Sequence, residues 1–214
     1  KCDRPKFDIF LRTLSADPIC SSPLNLPTSG TLYDYGFDYS DDMFFSWDSK
    51  AQKFPLDMQT TSFASLLIPT ADTVRSSWIL QTLGKKSKKP ILFVGASGTA
   101  KTVTIEKVLA EMTINDRNMS YITMNLSSRT SASDVQRAIE DSIEKRTKDV
   151  YGPPLGRKLI VFIDDVSMPK EDLYGTQQPI AMLKTMLERD GFYDRGKDLN
   201  WKTVKDTQFI CAMG

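Results

Sequence analysis

The spacing of apolar residues divides the chain into a mixed N-terminal stretch and a regular strand–helix alternation. Phe7, Phe10, Leu11 and Leu14 recur at i, i+3, i+4 and i+7, which predicts a short helix. From Gly30 the period changes to two. Tyr33, Tyr35, Phe37 and Tyr39 alternate with Leu32, Asp34 and Gly36, predicting a strand; Ser40, Asp41 and Asp42 form a turn, and residues 43–47 return as a second strand. This acidic, aromatic stretch reads either as a binding surface or as a hairpin packing its rings on a neighbour. Beyond Pro69, residues 72–83 predict a helix through Val74, Trp78, Ile79 and Leu83, with Gly84 placed to end it. Residues 91–94 form an apolar run, the pattern of a strand buried on both faces.

A helix over 102–112 and a strand over 121–126 follow. Ser133 with Gln136 matches a capping box, and Asp134 suits the first turn of a helix carrying Val135, Ile139 and Ile143 on one face. That helix must stop before Gly152, Pro153 and Pro154. A third strand covers 159–163, a helix 176–189 with Gly191 placed to end it, and a fourth strand 208–213. Strands alternating with helices predict an α/β fold with a parallel sheet in three layers.

Composition narrows the chemistry. With 40% hydrophobic and 26% charged residues among 214, a buried core is feasible. Lys and Arg number 28 against 27 Asp and Glu, so overall charge gives no reason to expect nucleic acid or an anionic membrane as partner. The chain contains no His, which excludes Ser-His-Asp triads and His-ligated zinc from it. No apolar run approaches the roughly 18 residues of a membrane span. Cys2, Cys20 and Cys211 form no CxxC pair and read as reduced, small apolar residues.

The strongest motif is Gly95, Ala96, Ser97, Gly98, Thr99, Ala100, Lys101 and Thr102, lying between a predicted strand and a predicted helix. A chain wrapping a triphosphate points successive backbone N–H groups inward, so it needs small residues, and the following helix adds its dipole. Lys101 would reach the β- and γ-phosphates, and the Thr102 hydroxyl would ligate Mg²⁺. Ala100 stands where the pattern Gly-x-x-x-x-Gly-Lys-Ser/Thr has its second glycine. A positive φ there would cost about 1 kcal/mol with alanine, and a negative φ almost nothing. A second motif is the apolar strand 159–163 running into Asp164 and Asp165. Downstream of a P-loop it reads as Walker B, with Asp164 holding Mg²⁺ and Asp165 at the position that orients the attacking water. The polar exit Asn125 to Thr130 either lies near the γ-phosphate or caps the next helix.

Together with Asn125 to Thr130, these motifs resemble the heavy chains of axonemal dynein. The runs Glu144 to Asp149, Tyr151 to Pro154, Asp164 to Pro169 and Tyr174 to Pro179 add to the likeness. The best match is the third AAA+ module of the motor ring. Residues 1–54 resemble the end of the second module and the connecting segment with its hairpin; residues 55–214 resemble the large AAA+ subdomain. The stretch from Ile68 and Pro69 to Arg75 is similar to the one that passes the adenine. The resemblance implies a P-loop AAA+ sheet ending before a fifth strand and the helical lid. It implies ATP or ADP with Mg²⁺ as cofactors and a nucleotide-gated regulatory role, while Asp165, one methylene shorter than the glutamate of hydrolysing NTPases, predicts slow hydrolysis at most in this module. The implied partners are neighbouring AAA+ modules, with microtubules and other dynein chains reached through the parent motor. The implied location is the cytoskeleton of the ciliary axoneme. The alternatives are a structural ring spacer and an unrelated P-loop ATPase or kinase.

Overall fold

The computed structural model describes residues 3–16, 25–38, 41–51, 68–87, 89–196 and 199–214. Cys2, Cys20, Tyr39 and Ser40 lie outside the described residues. Contacts divide the chain into two units, Lys1–Ser76 and Ser77–Gly214.

In the first unit, α1 (Arg4–Ser15) starts with proline in its first turn, where the missing N–H costs nothing. Its predicted apolar face is open, with Phe7, Phe10 and Leu14 all exposed. Polar bonds hold the helix instead. The buried Asp8 carboxylate accepts from Leu32 N (2.7 Å) and from Arg12 Nε (2.9 Å), and Arg12 also donates to the carbonyls of Pro27 and Gly30. The Leu32 N–H first, and Arg12 second, hold the Asp8 carboxyl below the usual carboxylate range. A 3₁₀ turn, Leu32–Asp34, replaces the start of the predicted strand, closed by a Thr31–Asp34 capping box. The hairpin then forms from β1 (Tyr35–Asp38) and β2 (Met43–Ser46), paired antiparallel. Its rings engage one another: Phe37 meets Phe44 edge-on at 5.0 Å, and Phe45 meets Trp47 at 4.9 Å. Trp47 is buried and opens the short α2 (Trp47–Lys50) rather than extending the strand.

Helix α3 (Ala71–Lys86) crosses the division between the units. The second unit contains a sheet of β3 (Ile91–Val94), β4 (Met119–Asn125), β7 (Lys158–Asp164) and β10 (Thr207–Met213), in the order β3-β10-β7-β4 and parallel throughout. Its other helices are α4 (Lys101–Asn115), α5 (Ala132–Glu140) and α6 (Gln178–Arg189). Alternate residues of β7 feed two cores. Leu159, Val161 and Ile163 pack with Val135, Ile139, Leu183 and Met186 of α5 and α6. Ile160 and Phe162 pack with Leu80, Ile105, Val108 and Leu109 of α3 and α4. This is the expected α/β fold: three layers around a parallel sheet, with the central strand buried on both faces.

Several local expectations need correction. Gly84 lies inside α3, where a Cβ would come within 2.8 Å of Met112 Cε, so its role is close packing on α4. Strand β3 is an edge strand covered on one face only, and Leu92 and Val94 are exposed. Helix α5 is capped by Ser131, not Ser133: Asp134 N donates to Ser131 Oγ (3.2 Å) while Ser131 N donates to Asp134 Oδ2 (3.0 Å). Gln136 instead turns inward, donating to Tyr193 O (2.9 Å) and accepting from Arg195 Nε (2.7 Å). Helix α5 ends at Glu140, so Ile143 lies beyond it. A second sheet that the periodicity did not predict follows, built from β5 (Glu144–Lys145), β6 (Val150–Gly152), β8 (Gly191–Tyr193) and β9 (Trp201–Val204) in the order β5-β6-β9-β8. Asp190, at φ 52°, takes the left-handed cap after α6. Gly191 opens β8, because a Cβ there would stand 2.2 Å from the Lys202 carbonyl oxygen. Among the described residues no helix is long and apolar enough to cross a membrane.

Candidate nucleotide site

The site forms where β3 and β7 end, at the carboxyl edge of the parallel sheet. Gly95 N donates to Met213 O at 3.2 Å, fixing the start of the loop to β10. Gly98 has φ 81° with open space around it. Ala100 is also left-handed, at φ 57° and ψ 25°, and serves as N-cap of α4 without a side-chain bond. The conditional cost foreseen from the sequence therefore applies. Relief of about 1–2 kcal/mol of steric strain, less about 0.4–1 kcal/mol of extra unfolded-state entropy, sets the balance for Ala100→Gly. The variant is expected to gain roughly 0.5–1 kcal/mol of stability, read as a higher denaturation midpoint. A lower midpoint would show that the Ala100 methyl makes a compensating contact.

Lys101 opens α4 and folds back over the loop. Its Nζ donates to Gly95 O (2.5 Å) and Ala96 O (2.9 Å), while Thr99 Oγ1 donates to Ala96 O (2.8 Å). One residue on, Thr102 Oγ1 donates to Asp164 Oδ2 at 2.6 Å. Asp164 is buried at the end of β7, and its other oxygen accepts from Asp165 N at 3.0 Å. A hydroxyl from the loop helix and a carboxylate from the central strand, 62 residues apart in sequence, are thus brought together. Asp165 is exposed and left-handed at φ 53°, a conformation that short Asp and Asn side chains tolerate better than longer ones. Val166 N donates to Ala212 O at 3.0 Å, tying the following loop to β10.

Asn125 lies opposite Asp164 in the β4–β7 register and so reaches the same edge. The residues after it bond among themselves: Ser127 N donates to Thr130 Oγ1 (2.9 Å) and Thr130 N to Ser127 O (3.1 Å). Since Ser131 caps α5, the capping alternative for residues 125–130 does not hold. Instead Asn125, Ser127, Arg129 and Thr130 line an open groove of about 410 Å³ at this edge. Ile68 and Pro69 lie in the first unit, just before α3, whose start is set by reciprocal Thr70 and Thr73 bonds. Two residues beyond the strand end had no role assigned from the sequence, Gln177 being read only as part of the run 174–179 and Asp172 not at all. Gln177 donates to Ser167 O (3.1 Å) and Pro169 O (2.6 Å), and Asp172 organises the turn between them. The signal for the second was an acid three residues before Gly175.

Comparison with known proteins agrees with this geometry. The family described as "P-loop containing dynein motor region" matches residues 56–214. The dynein-1-alpha heavy chain of the flagellar inner arm I1 complex of Chlamydomonas reinhardtii is 50% identical over 99% of this chain and 5% of its own length. Human dynein axonemal heavy chain 10 is 42% identical over 99% of this chain and 5% of its own. Mouse dynein axonemal heavy chain 12 is 33% identical over the whole chain and 7% of its own. The chain therefore spans about a twentieth of the length of such relatives. With a parallel sheet, a strand–loop–helix phosphate motif and a facing strand carboxylate, this chain belongs to the P-loop motor-region family of dynein heavy chains.

Proposed function

We propose that the chain is a nucleotide-binding AAA+ module of a ciliary dynein heavy chain, corresponding to the third module, which regulates ATP-driven, minus-end-directed movement on microtubules. The observation that carries this reading is the Thr102–Asp164 contact directly behind the Lys101 loop. The donor set suits Mg²⁺, a hard cation that takes one or two protein oxygens and completes its shell with phosphates and water. Thr102 and Asp164 offer two protein oxygens, which leaves the remaining positions of such a cation to phosphate oxygens and water. Bound Mg²⁺ would supply charge neutralisation on the β- and γ-phosphates.

The residues divide the work. Backbone N–H groups of Ala96, Ser97, Gly98, Thr99 and Ala100 receive the phosphates, Gly95 starts the loop with its own N–H bonded to Met213 O, and the family resemblance assigns Ile68 and Pro69 to the adenine of ATP or ADP. Lys101 exchanges carbonyl partners for phosphate oxygens, a stronger charge-assisted pairing. Thr102 and Asp164 are the metal ligands, and Asp165 orients water. An aspartate there is one methylene short, and a displacement of about 1 Å can cost ~10²-fold in rate. Slow turnover follows, which suits a gate rather than the stepping site. Its partners are the neighbouring AAA+ modules, with microtubules and other dynein chains contacted by the parent motor at the axoneme.

Asp165 provides the test. In the full heavy chain, with its other nucleotide modules disabled, Asp165→Asn is expected to leave ATP affinity within about twofold and to slow single-turnover hydrolysis, because the carboxylate meets water rather than the ground-state phosphates. Asp165→Glu is expected to speed hydrolysis at nearly unchanged affinity. Microtubule release should shift with the trapped triphosphate. If both substitutions leave hydrolysis and release unchanged, the module is a ring spacer.

A further inference from the structure

Helix α6 begins on a glutamine. Gln177 is its N-cap, a position that favours Ser, Thr, Asp or Asn, whose short side chains accept from the free N–H groups of the first turn. Gln177 makes no such bond. Its amide turns the other way, and its two N–H groups reach the loop behind the candidate site, donating to Ser167 O (3.1 Å) and Pro169 O (2.6 Å). Those carbonyls bracket Met168, whose N–H donates to Asp165 O at 2.9 Å. On the other side, Asp165 N donates to Asp164 Oδ1 at 3.0 Å. Both main-chain groups of Asp165 are therefore bonded. Its left-handed backbone, at φ 53°, is a conformation that persists where the surroundings enforce it.

We propose that Gln177 is a positioning residue for hydrolysis: by clamping the 165–169 turn to the start of α6, it holds the Asp165 carboxylate where the attacking water is oriented. Three observations support this. The Asp165 carboxylate is exposed and, among the described residues, has no hydrogen bond or ion pair of its own, so its placement depends on the backbone beneath it. The anchor is rigid, because Leu183 and Met186 of α6 share a core with Val161 and Ile163 of β7, the strand that ends in Asp164. The clamp and the carboxylate of the metal site thus belong to one packed unit. Finally, a side chain that only started the helix would cap it, and this one does not. A shift of about 1 Å in a catalytic group can cost ~10²-fold in rate, so a clamp two peptides away from Asp165 has a large lever on turnover.

The inference rests on the reading of Asp165 as the water-orienting acid. The test uses the full heavy chain with its other nucleotide modules disabled. Gln177→Ser supplies the cap that glutamine lacks but cannot reach the two carbonyls. Its melting midpoint is expected to hold or rise, while single-turnover ATP hydrolysis falls about ten- to hundredfold. ATP affinity is expected to stay within about twofold, since the clamp acts on the water-orienting acid and not on the ground-state phosphates. Amide hydrogen exchange at Met168 is expected to be about tenfold faster with ATP bound, because the turn opens more often. Gln177→Ala is expected to lose hydrolysis equally but to melt earlier than the serine variant. Native hydrolysis in Gln177→Ser, or hydrolysis that follows melting midpoint with serine fast and alanine slow, overturns the proposal. If Asp165→Asn is slow while Gln177→Ser is not, the clamp alone is refuted. No turnover in the native chain, or native turnover in Asp165→Asn, removes the reading of Asp165 and this inference with it.

Discussion

Replacing Lys101 with alanine is expected to lower ATP affinity by about two orders of magnitude. The ammonium lies at the mouth of the 95–100 loop, held to Gly95 O and Ala96 O. Each charge-assisted bond to a phosphate is worth about 1.5–3 kcal/mol. Losing the lysine leaves the phosphates with neutral backbone donors and the helix dipole. Taking about 3 kcal/mol for the side chain, at 1.4 kcal/mol per tenfold, gives roughly 100-fold. Isothermal titration of ATP into the full heavy chain, with its other sites disabled, measures the change. A melting curve on the same variant separates the site from the fold, since Lys101 also braces the loop. Unchanged affinity would remove the P-loop assignment, whatever the family.

Phe162→Ala is expected to destabilise the second unit by about 3–5 kcal/mol, the usual cost of emptying a fully buried phenylalanine site. Phe162 is completely buried in β7, opposite Thr123 on one side and Ile210 on the other. It packs into the core formed with α3 and α4, so no solvent-facing route lets the cavity collapse. Against a typical total of about 5–15 kcal/mol, that loss moves the denaturation midpoint far down. Ile114→Ala is the contrast. Ile114 is 80% exposed on α4, and removal of its branched side chain should change stability by no more than about 0.5 kcal/mol. Equal effects from the two would mean that β7 does not lie at the centre of the sheet.

The elements legible in the sequence are those whose residues carry a strong local signal. The run 159–163 is continuously apolar because β7 is covered on both faces, and continuous runs are what such strands require. Residues 95–102 were legible as a phosphate loop because small residues, a lysine and a hydroxyl must follow one another for the backbone to wrap an anion. Strand β3 misled for a related reason. Four apolar residues look alike whether one face or two is covered, and edge position depends on neighbours distant in sequence. Strands β5, β6, β8 and β9 have only two to four residues, too few for any period to emerge.

What the sequence by itself determined is therefore the alternating α/β order, the P-loop motif and the strand-end acids, all set by residue type at fixed local spacing, and the resemblance of these motifs pointed to the family. Tertiary structure alone decided that Ala100 is left-handed, that Thr102 reaches Asp164, and that Gly84 and Gly191 serve close approach rather than helix ends. It also decided that Gln177 reaches back to Ser167 and Pro169 instead of capping α6. The reason is common to each case. A backbone torsion, a close contact or a hydrogen bond between segments depends on which surfaces meet when the sheet assembles, and no single stretch of chain encodes that meeting.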